Sequence, residues 1–293
     1  MTKADRRYAF QHPGLDRADE LRSDEAALAR LWPEARVLVV DIEGQARGCG
    51  DPDSLCFSQG HEMFPERPDD AIFLGRGDGG EAWFALPAAA MAEVPVAACD
   101  LRSAAAQWPA FAASVFAQAQ ALLYWRERNK FCGACGVPLE PRRSGHMLLC
   151  PSCGLEHFPR TDPAIIVAVS DGERLLLGRQ AAWPSGRWSV LAGFMEPGES
   201  LEQTVAREVL EEAGVRIREA SYAASQPWPF PSALMVGFRA KADPQPAQAG
   251  DELEAARWFS SAELRELTAS GEMQVSPRLS ISRWLIDDWL AHH

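Results

Sequence analysis

Residues 193–215 read GFMEPGESLEQTVAREVLEEAGV, in which a turn rich in glycine and proline precedes a helix-forming run with regularly spaced glutamates. Glu208, Glu211 and Glu212 lie three and four residues apart, so a helix places their carboxylates on one face. Like charges at this spacing destabilise a helix by roughly 0.2–0.5 kcal/mol per pair. The segment contains no lysine to offset them, whereas a bound divalent cation would remove the repulsion.

The opposite face of the same helix is apolar, with residues recurring every four positions: Leu201, Val205, Val209 and Ala213. This pattern predicts an amphipathic helix with a buried side and a carboxylate side, which Gly214 ends as a left-handed C-cap. The preceding loop, residues 192–198, can add backbone carbonyls, and ligation by oxygen alone favours Mg²⁺ or Mn²⁺. An isolated Glu-x-x-Glu pair would instead indicate only an exposed charged helix.

The second motif is a set of four cysteines. Cys132 and Cys135 are followed, after fourteen residues, by Cys150 and Cys153. This spacing is typical of tetrahedral zinc, and four thiolates leave no position open for water, so the predicted zinc is structural. The alternative, two disulfides, requires an oxidising compartment, and the first ten residues, MTKADRRYAF, lack the apolar run of a signal peptide. The remaining cysteines are interpreted as reduced thiols: Cys49, Cys56 and Cys99.

Composition limits the class of protein. The chain has 293 residues, 47% of them hydrophobic, and a formal net charge of −12. It is long enough for more than one domain, and the acidity disfavours nucleic-acid binding through a general basic surface. The alanine-rich stretch from Ala104 to Trp125 comes nearest to a membrane span, but Pro109 and three glutamines predict a soluble helix. We therefore expect a soluble, cytoplasmic protein.

Three segments follow from these patterns: residues 1–128, 129–160 and 161–293. The first contains strand-like runs at 36–40, 71–74 and 82–86 before the alanine-rich helix, and the second holds the four cysteines. The N-terminal strands and helix are compatible with a distant copy of the C-terminal fold.

In the third segment, the apolar run at 164–169 predicts a buried strand that pairs with residues 175–177 across an Asp-Gly turn. Residues 240–250 predict a loop rich in proline and alanine. Residues 277–293 predict an amphipathic helix that serves the core or a subunit contact.

The third motif, SQPWPFP at residues 225–231, alternates prolines with two aromatic residues. Because proline fixes φ, it holds Trp228 and Phe230 in a stiff extended segment, which suits a planar base. A connector whose aromatic residues lie in the core would give the same pattern.

The first motif meets every defined position of the Nudix box, G-x5-E-x7-R-E-U-x-E-E-x-G-U, where U is a bulky aliphatic residue. The chain therefore resembles Nudix hydrolases, α/β/α sandwich enzymes that cleave a diphosphate linked to a second group. With the four cysteines, SQPWPFP and FPRTDP at residues 158–163, it resembles the NADH pyrophosphatase branch, which has a zinc ribbon and an N-terminal α+β domain. The likeness is tight from about Phe131 onward and looser before it.

The resemblance implies a set of catalytic and metal-binding residues. Glu208 and Glu212 bind Mg²⁺ or Mn²⁺, with the Ala192 carbonyl and Glu254 as further ligands. The catalytic residues it implies are Glu199, Arg207, Glu208, Glu211 and Glu212, with Arg207 orienting Glu199 and Glu211 acting as ligand or water activator. One structural zinc per chain is implied at the four cysteines.

The branch hydrolyses NADH, and less readily NAD⁺, to nicotinamide mononucleotide and AMP; its members also act on NAD-capped RNA and form homodimers. Phe158 and Phe194 become candidates to sandwich the nicotinamide. The implied substrate-binding residues are Phe158, Phe194, Gln226, Pro227, Trp228, Pro229, Phe230, Pro231, Ser232 and Ala233. Two of them depart from the usual pattern: Ala233 stands where the branch usually has serine, and Phe158 replaces a tyrosine seen in some members.

Two other functions remain open from sequence. A Nudix enzyme for ADP-ribose or a dinucleoside polyphosphate would keep the box without needing the aromatic segment. A non-enzymatic zinc-ribbon module that binds nucleotides would tolerate loss of the box glutamates, none of which is lost.

Overall fold

The computed structural model describes residues 8–12, 14–47, 57–93 and 97–293. They form two compact units, each described separately. The N-terminal unit comprises Phe10–Arg160 with Pro229–Ser232, and the C-terminal unit comprises Thr161–Trp228 and Ala233–His293 with the described residues Tyr8 and Ala9. The predicted thiols Cys49 and Cys56, and residues 1–7, lie outside the described residues.

The N-terminal unit contains a mixed sheet, a small three-stranded ribbon and helices. Its strands are β1 (Arg36–Val40), β2 (Gln45–Arg47), β3 (Ser58–Gln59), β4 (Ile72–Arg76), β5 (Ala82–Pro87), β6 (Ala98–Asp100), β7 (Glu140–Arg142), β8 (Met147–Leu149) and β9 (Glu156–His157). Its α-helices are α1 (Glu25–Leu31), α2 (Gly60–Met63), α3 (Leu101–Gln107) and α4 (Ala110–Arg128).

The C-terminal unit contains a second mixed sheet with helices on both faces. Its strands are β10 (Asp162–Ser170), β11 (Arg174–Arg179), β12 (Arg187–Trp188), β13 (Leu191–Phe194), β14 (Ile217–Trp228), β15 (Ala233–Ala242), β16 (Ala255–Ser260) and β17 (Gln274–Val275). Its α-helices are α5 (Leu201–Ala213), α6 (Ser261–Ser270) and α7 (Ile281–Ala291).

The predicted α/β/α sandwich is confirmed in the C-terminal unit by the alternation of side chains along β10. Ile165, Val167 and Val169 pack in the core formed with the apolar face of α5. Ile166 and Ala168, on the other face of the sheet, pack in the core formed with α6 and α7. Because successive strand residues point to opposite faces, one buried strand serves both helix layers.

The two large sheets have the same topology. The strand orders are β4-β5-β1-β2-β6, with β3 beside β1, and β14-β15-β10-β11-β16, with β13 beside β10. The central pair is parallel in each sheet. The N-terminal unit is thus a distant copy of the C-terminal fold, with one clear difference. β3 is followed by the single turn α2, whereas β13 leads into the thirteen-residue helix α5.

Two predicted boundaries were wrong. The stretch from Ala104 to Trp125 forms two helices, α3 and α4, because Pro109 lacks an N–H group and holds Trp108 in an extended conformation with ψ of 159°. The loop predicted at residues 240–250 begins later, since β15 stays paired with β14 through Ala242. Among the described residues, no helix is both long enough and apolar enough to cross a bilayer.

Candidate functional site

Helix α5 is fixed at both ends by side-chain and backbone caps. The Ser200 hydroxyl accepts a hydrogen bond from the Gln203 N–H (3.3 Å), and the Gln203 side chain accepts one from the Ser200 N–H (2.7 Å). At the other end Gly214 has φ of 66°, the left-handed conformation predicted for it. Val205, Val209 and Ala213 are fully buried. Their packing in the core fixes the rotation of α5 about its own axis, and therefore the direction in which its acidic face points.

Glu208 lies against β13, where Gly193 leaves room for it. A Cβ atom at Gly193 would lie 1.9 Å from Cδ of Glu208, so any other residue would displace this carboxylate. Glu208 is only 8% exposed, and this burial raises the pKa of its carboxyl, with the Arg207 guanidinium acting in the opposite direction.

Glu212 is the most deeply buried carboxylate of the site, at 5% exposure. Burial, together with the charges of Glu208 and Glu252, raises the pKa of Glu212 to about 8; a backbone hydrogen bond from Ala192 acts in the opposite direction. Its Oε2 accepts no hydrogen bond from any residue that the structure describes. A buried carboxylate oxygen without a donor is costly, and a divalent cation would satisfy it. The residues present therefore fit an oxygen-ligated metal ion.

Arg207 connects the turn before α5 with the acidic face. Its Nε donates to Glu199 (2.7 Å), its Nη2 donates to the Phe194 carbonyl (2.8 Å), and its Nη1 donates to Glu208 and Glu211 (both 3.0 Å). The guanidinium is the main cause that lowers the pKa of Glu199 to about 2, and these carboxylates in turn raise the pKa of Arg207. Arg207 therefore holds three carboxylates and one strand carbonyl in a fixed arrangement.

Sequence reasoning missed the carboxylate of Glu252. Its charge raises the pKa of both Glu208 and Glu212, which places it in the same electrostatic cluster. The predicted ligand Glu254 instead accepts a hydrogen bond from Arg179 Nε (2.6 Å), and its side chain is 51% exposed. The sequence DELEA offers three acidic residues, and no spacing rule selects one of them.

The four ribbon cysteines come together as predicted for zinc. Their Sγ atoms all lie within 4.8 Å of one another. The separations Cys132–Cys153 (3.6 Å), Cys135–Cys150 (3.4 Å) and Cys135–Cys153 (3.8 Å) are far too long for disulfides. Tetrahedral zinc with Zn–S bonds of about 2.3 Å would put sulfur atoms about 3.8 Å apart. The described cysteines, Cys99 included, are all reduced.

Comparison with known proteins matches three family models to successive parts of the chain. They are the NADH pyrophosphatase-like rudimentary NUDIX domain (residues 28–125), the NADH pyrophosphatase zinc ribbon domain (127–158) and the NUDIX domain (160–279). The chain is 39% identical over 293 residues to the NAD-capped RNA hydrolase NudC of Mycobacterium bovis (strain BCG / Pasteur 1173P2), an alignment that covers 95% of this chain and 93% of the relative. The chain belongs to the NADH pyrophosphatase family of Nudix hydrolases.

Two further members show the breadth of this family. NudC of Stutzerimonas stutzeri (strain A1501), also named an NAD-capped RNA hydrolase, is 46% identical over 172 residues, covering 57% of this chain and 58% of its own. The human mitochondrial NAD(P)H pyrophosphatase NUDT13 is 35% identical over 255 residues, covering 77% and 72%. The protein is therefore a Nudix hydrolase with a zinc ribbon. This excludes the alternative hypothesis of a non-enzymatic module that binds nucleotides.

Gln226, which the family resemblance assigns to the substrate, has a fully buried side chain. Its Nε2 donates to the carbonyls of Ala9 (3.1 Å) and Leu279 (2.8 Å), and its Oε1 accepts from the Ile281 N–H (2.8 Å). All four residues belong to the C-terminal unit. The amide therefore joins the N-terminal segment and the start of α7 to β14, and both of its hydrogens are used within the fold.

The aromatic segment forms the end of the β14–β15 hairpin. Pro227 and Trp228 pair with Leu234 and Ala233, whereas residues 229–232, including Pro231 and Ser232, form the tip and cluster with the N-terminal unit. There the Pro229 carbonyl accepts from Gln120 Nε2 (3.0 Å), and the guanidinium of Arg102 lies 4.1 Å from the centre of the Phe230 ring. Packing within that unit therefore holds the tip.

Phe194 and Phe158 are both exposed, at 61% and 56%. Phe194 ends β13, directly after the glycine that accommodates Glu208, and its carbonyl is held by Arg207. Phe158 follows β9 of the ribbon. Their role in stacking the nicotinamide stays a prediction.

Proposed function

We propose that this protein hydrolyses the diphosphate of NADH and NAD⁺ to nicotinamide mononucleotide and AMP, and removes NAD caps from RNA 5′ ends. Family membership over nearly the whole chain supports the choice of substrate. The observation that carries the hydrolytic activity is the buried oxygen of Glu212, which has no donor among the described residues. It lies one helical turn from Glu208, which Arg207 holds by a hydrogen bond.

Glu208, Glu212 and the Ala192 carbonyl would hold Mg²⁺ or Mn²⁺, with Glu252 or Glu254 as the further carboxylate. When bound, such an ion neutralises charge on diphosphate oxygens and lowers the pKa of a bound water. Soft metals are not suited to this set, because every candidate donor is a hard oxygen.

The remaining residues of the site position these donors and the substrate. Arg207 orients Glu199 and Glu211 by charge-assisted hydrogen bonds. Glu211 has a side chain 61% exposed, so its carboxylate is accessible to a water molecule as a proton acceptor. Phe194, Phe158 and Trp228 would provide aromatic faces for the bases of the dinucleotide.

The proposal includes assembly and location. By resemblance to the family, the protein acts as a cytoplasmic homodimer, built from segments 1–128, 129–160 and 161–293. Sedimentation of the purified protein tests the dimer independently of activity.

Product analysis tests the function directly. NADH, NAD⁺, ADP-ribose and NAD-capped RNA are compared side by side in Mg²⁺ and in Mn²⁺. We expect nicotinamide mononucleotide and AMP from NADH, and 5′-monophosphorylated RNA from the capped transcript. Glu212→Gln should lower kcat by at least about a hundredfold, since it removes a charged metal ligand. Faster cleavage of ADP-ribose than of NADH or capped RNA would favour the alternative Nudix activity.

A further inference from the structure

We propose that Gly250 is a positioning residue for the metal site: its backbone fastens the loop after β15 to the last turn of α5 and thereby fixes the position of Glu252, two residues further on, relative to the helix that carries Glu208 and Glu212. The inference rests on the proposed metal-dependent function. It assigns a role to a residue outside the Nudix box and distant from it in sequence.

The first observation is a pair of backbone hydrogen bonds at the C-terminal end of α5. The Gly250 N–H donates to the Glu212 carbonyl (3.0 Å), and the Gln248 N–H donates to the Ala213 carbonyl (2.9 Å). The last carbonyls of a helix have no donor within the helix. The loop supplies these donors, and one of them goes to the residue that carries the buried carboxylate.

The second observation explains why residue 250 is glycine. A Cβ atom there would lie 2.0 Å from the Glu211 carbonyl oxygen and 3.1 Å from its carbon. Both are backbone atoms of α5, so they cannot move aside as the end of a side chain could. Gly250 does not have a positive φ, so space and not backbone conformation requires glycine.

The third observation is a second fastening on the other side of Glu252. Leu253 is buried in the core, and a Cβ atom at Gly178 would lie 2.7 Å from its Cδ1. The Glu254 N–H donates to the Arg179 carbonyl (2.9 Å), and its carboxylate pairs with the Arg179 side chain (2.6 Å). Glu252 is therefore held between contacts to α5 and contacts to β11.

These contacts predict what a side chain at residue 250 would do. It would push the loop away from α5 and move Glu252 relative to Glu208 and Glu212, while α5 itself stays fixed by its own caps and buried face. Partners that orient metal ligands typically contribute about 10- to 100-fold to metal affinity. The affinity for the ion should therefore fall, and turnover should recover when the metal is saturating.

The test is Gly250→Ala, with Gln248→Ala as the matched control. Gln248 is exposed and contributes through its backbone N–H, which alanine keeps. Binding of Mn²⁺ is measured by electron paramagnetic resonance without substrate, and NADH turnover is measured against Mn²⁺ concentration. We expect on the order of tenfold weaker Mn²⁺ binding for Gly250→Ala, with near-normal kcat at saturating Mn²⁺. Gln248→Ala should match wild type.

A double-mutant cycle separates positioning from general damage to α5. If Gly250 acts through Glu252, Gly250→Ala should weaken Mn²⁺ binding little further in a Glu252→Gln background. Independent, multiplying losses would overturn the proposal, as would unchanged Mn²⁺ binding in Glu252→Gln or in Gly250→Ala.

Two further measurements keep the test of Gly250 decisive. If Gly250→Ala does not fold, Leu253→Ala loosens the other fastening, where Leu253 packs against Gly178; weaker Mn²⁺ binding supports the proposal and unchanged binding contradicts it. Mn²⁺ binding by wild type that depends on Glu252, without cleavage of NADH, would refute the proposed function alone, since the positioning role is measured without substrate.

Discussion

Three glutamates on one turn of α5 differ at the residue scale in what surrounds them. Glu211 is exposed, Glu208 is buried beneath a glycine of β13, and Glu212 is buried with one oxygen that lacks a donor among the described residues. Helical spacing predicts that the three share a face. Spacing cannot say which is desolvated, because burial depends on β13, which lies beside the helix only in the folded chain.

The first prediction at this scale distinguishes Glu252 from Glu254. Glu252→Gln should lower Mn²⁺ affinity by about 10-fold or more, because it removes a carboxylate from the cluster that acts on Glu208 and Glu212. Glu254→Gln should have a smaller effect, because it removes only the exposed ion pair with Arg179. The measurement is Mn²⁺ titration of both variants. A larger loss of Mn²⁺ affinity in Glu254→Gln would show that Glu254, as the family resemblance implies, is the metal ligand.

The second prediction concerns the exposed aromatic residues. Stacking on a base is worth about 1–3 kcal/mol, so Phe194→Ala should lower kcat/KM for NADH roughly 5- to 100-fold, mostly through KM. The effect on ADP-ribose, which lacks the nicotinamide, should be smaller. Equal losses of kcat/KM on both substrates for Phe194→Ala would show that the Phe194 ring has only a structural role.

Phe230→Ala should instead lower Tm, since that ring packs against Arg102 and Phe10.

At the scale of elements, two side chains of the ribbon attach it to strand β4. They make the backbone hydrogen bonds that a neighbouring strand would otherwise make. The Ser144 hydroxyl accepts from the Phe73 N–H (3.1 Å), and His146 Nε2 lies 2.7 Å from the Phe73 carbonyl, so it carries the hydrogen. Both backbone groups of one edge residue are thus satisfied. The sequence predicted the ribbon from its cysteines, but this attachment joins residues more than seventy positions apart and leaves no local signal.

The third prediction follows from this attachment. Burial, with the nearby charges of Arg22, Arg17 and Arg143, lowers the pKa of His146 from 6.5 to about 4, although its bond to Phe73 acts in the opposite direction. Between these values the unfolded chain binds more protons than the folded chain, so the free energy of unfolding should fall as pH drops from about 6.5 to about 4. Below that window this contribution is fully lost.

His146→Gln provides the matched comparison, because it keeps a donor near the Phe73 carbonyl and removes the titration. Urea denaturation at intervals between pH 4 and 7 should show a weaker pH dependence in the variant than in wild type. Parallel curves for the two proteins would mean that His146 does not titrate in this range.

At the scale of the whole molecule, two copies of one sheet topology carry different helices after the equivalent strand. In the C-terminal copy, α5 presents three carboxylates on one face. In the N-terminal copy, α2 has one glutamate, Glu62, and its carboxylate accepts from the Gln59 N–H as a helix cap (3.0 Å). Among the described residues, the acidic face is therefore found in one copy only. The repeated topology leaves little signal in sequence, because strand order is a relation between segments that lie far apart along the chain.

The last prediction concerns the ribbon, which has almost no core. Apart from two of its cysteines, Leu148 is the buried apolar side chain of residues 129–160. A segment this small cannot hold its shape by apolar burial, so metal binding contributes its folding free energy.

We expect about one zinc per chain by elemental analysis, and Cys132→Ser should lose zinc and lower Tm. The chemistry of its folded fraction should change little, because the carboxylate cluster lies in the C-terminal unit. Cys99→Ser, which removes a free thiol outside the ribbon, should keep both zinc and Tm. A Cys132→Ser protein that loses zinc at unchanged Tm would show that the ribbon is held by something other than the metal.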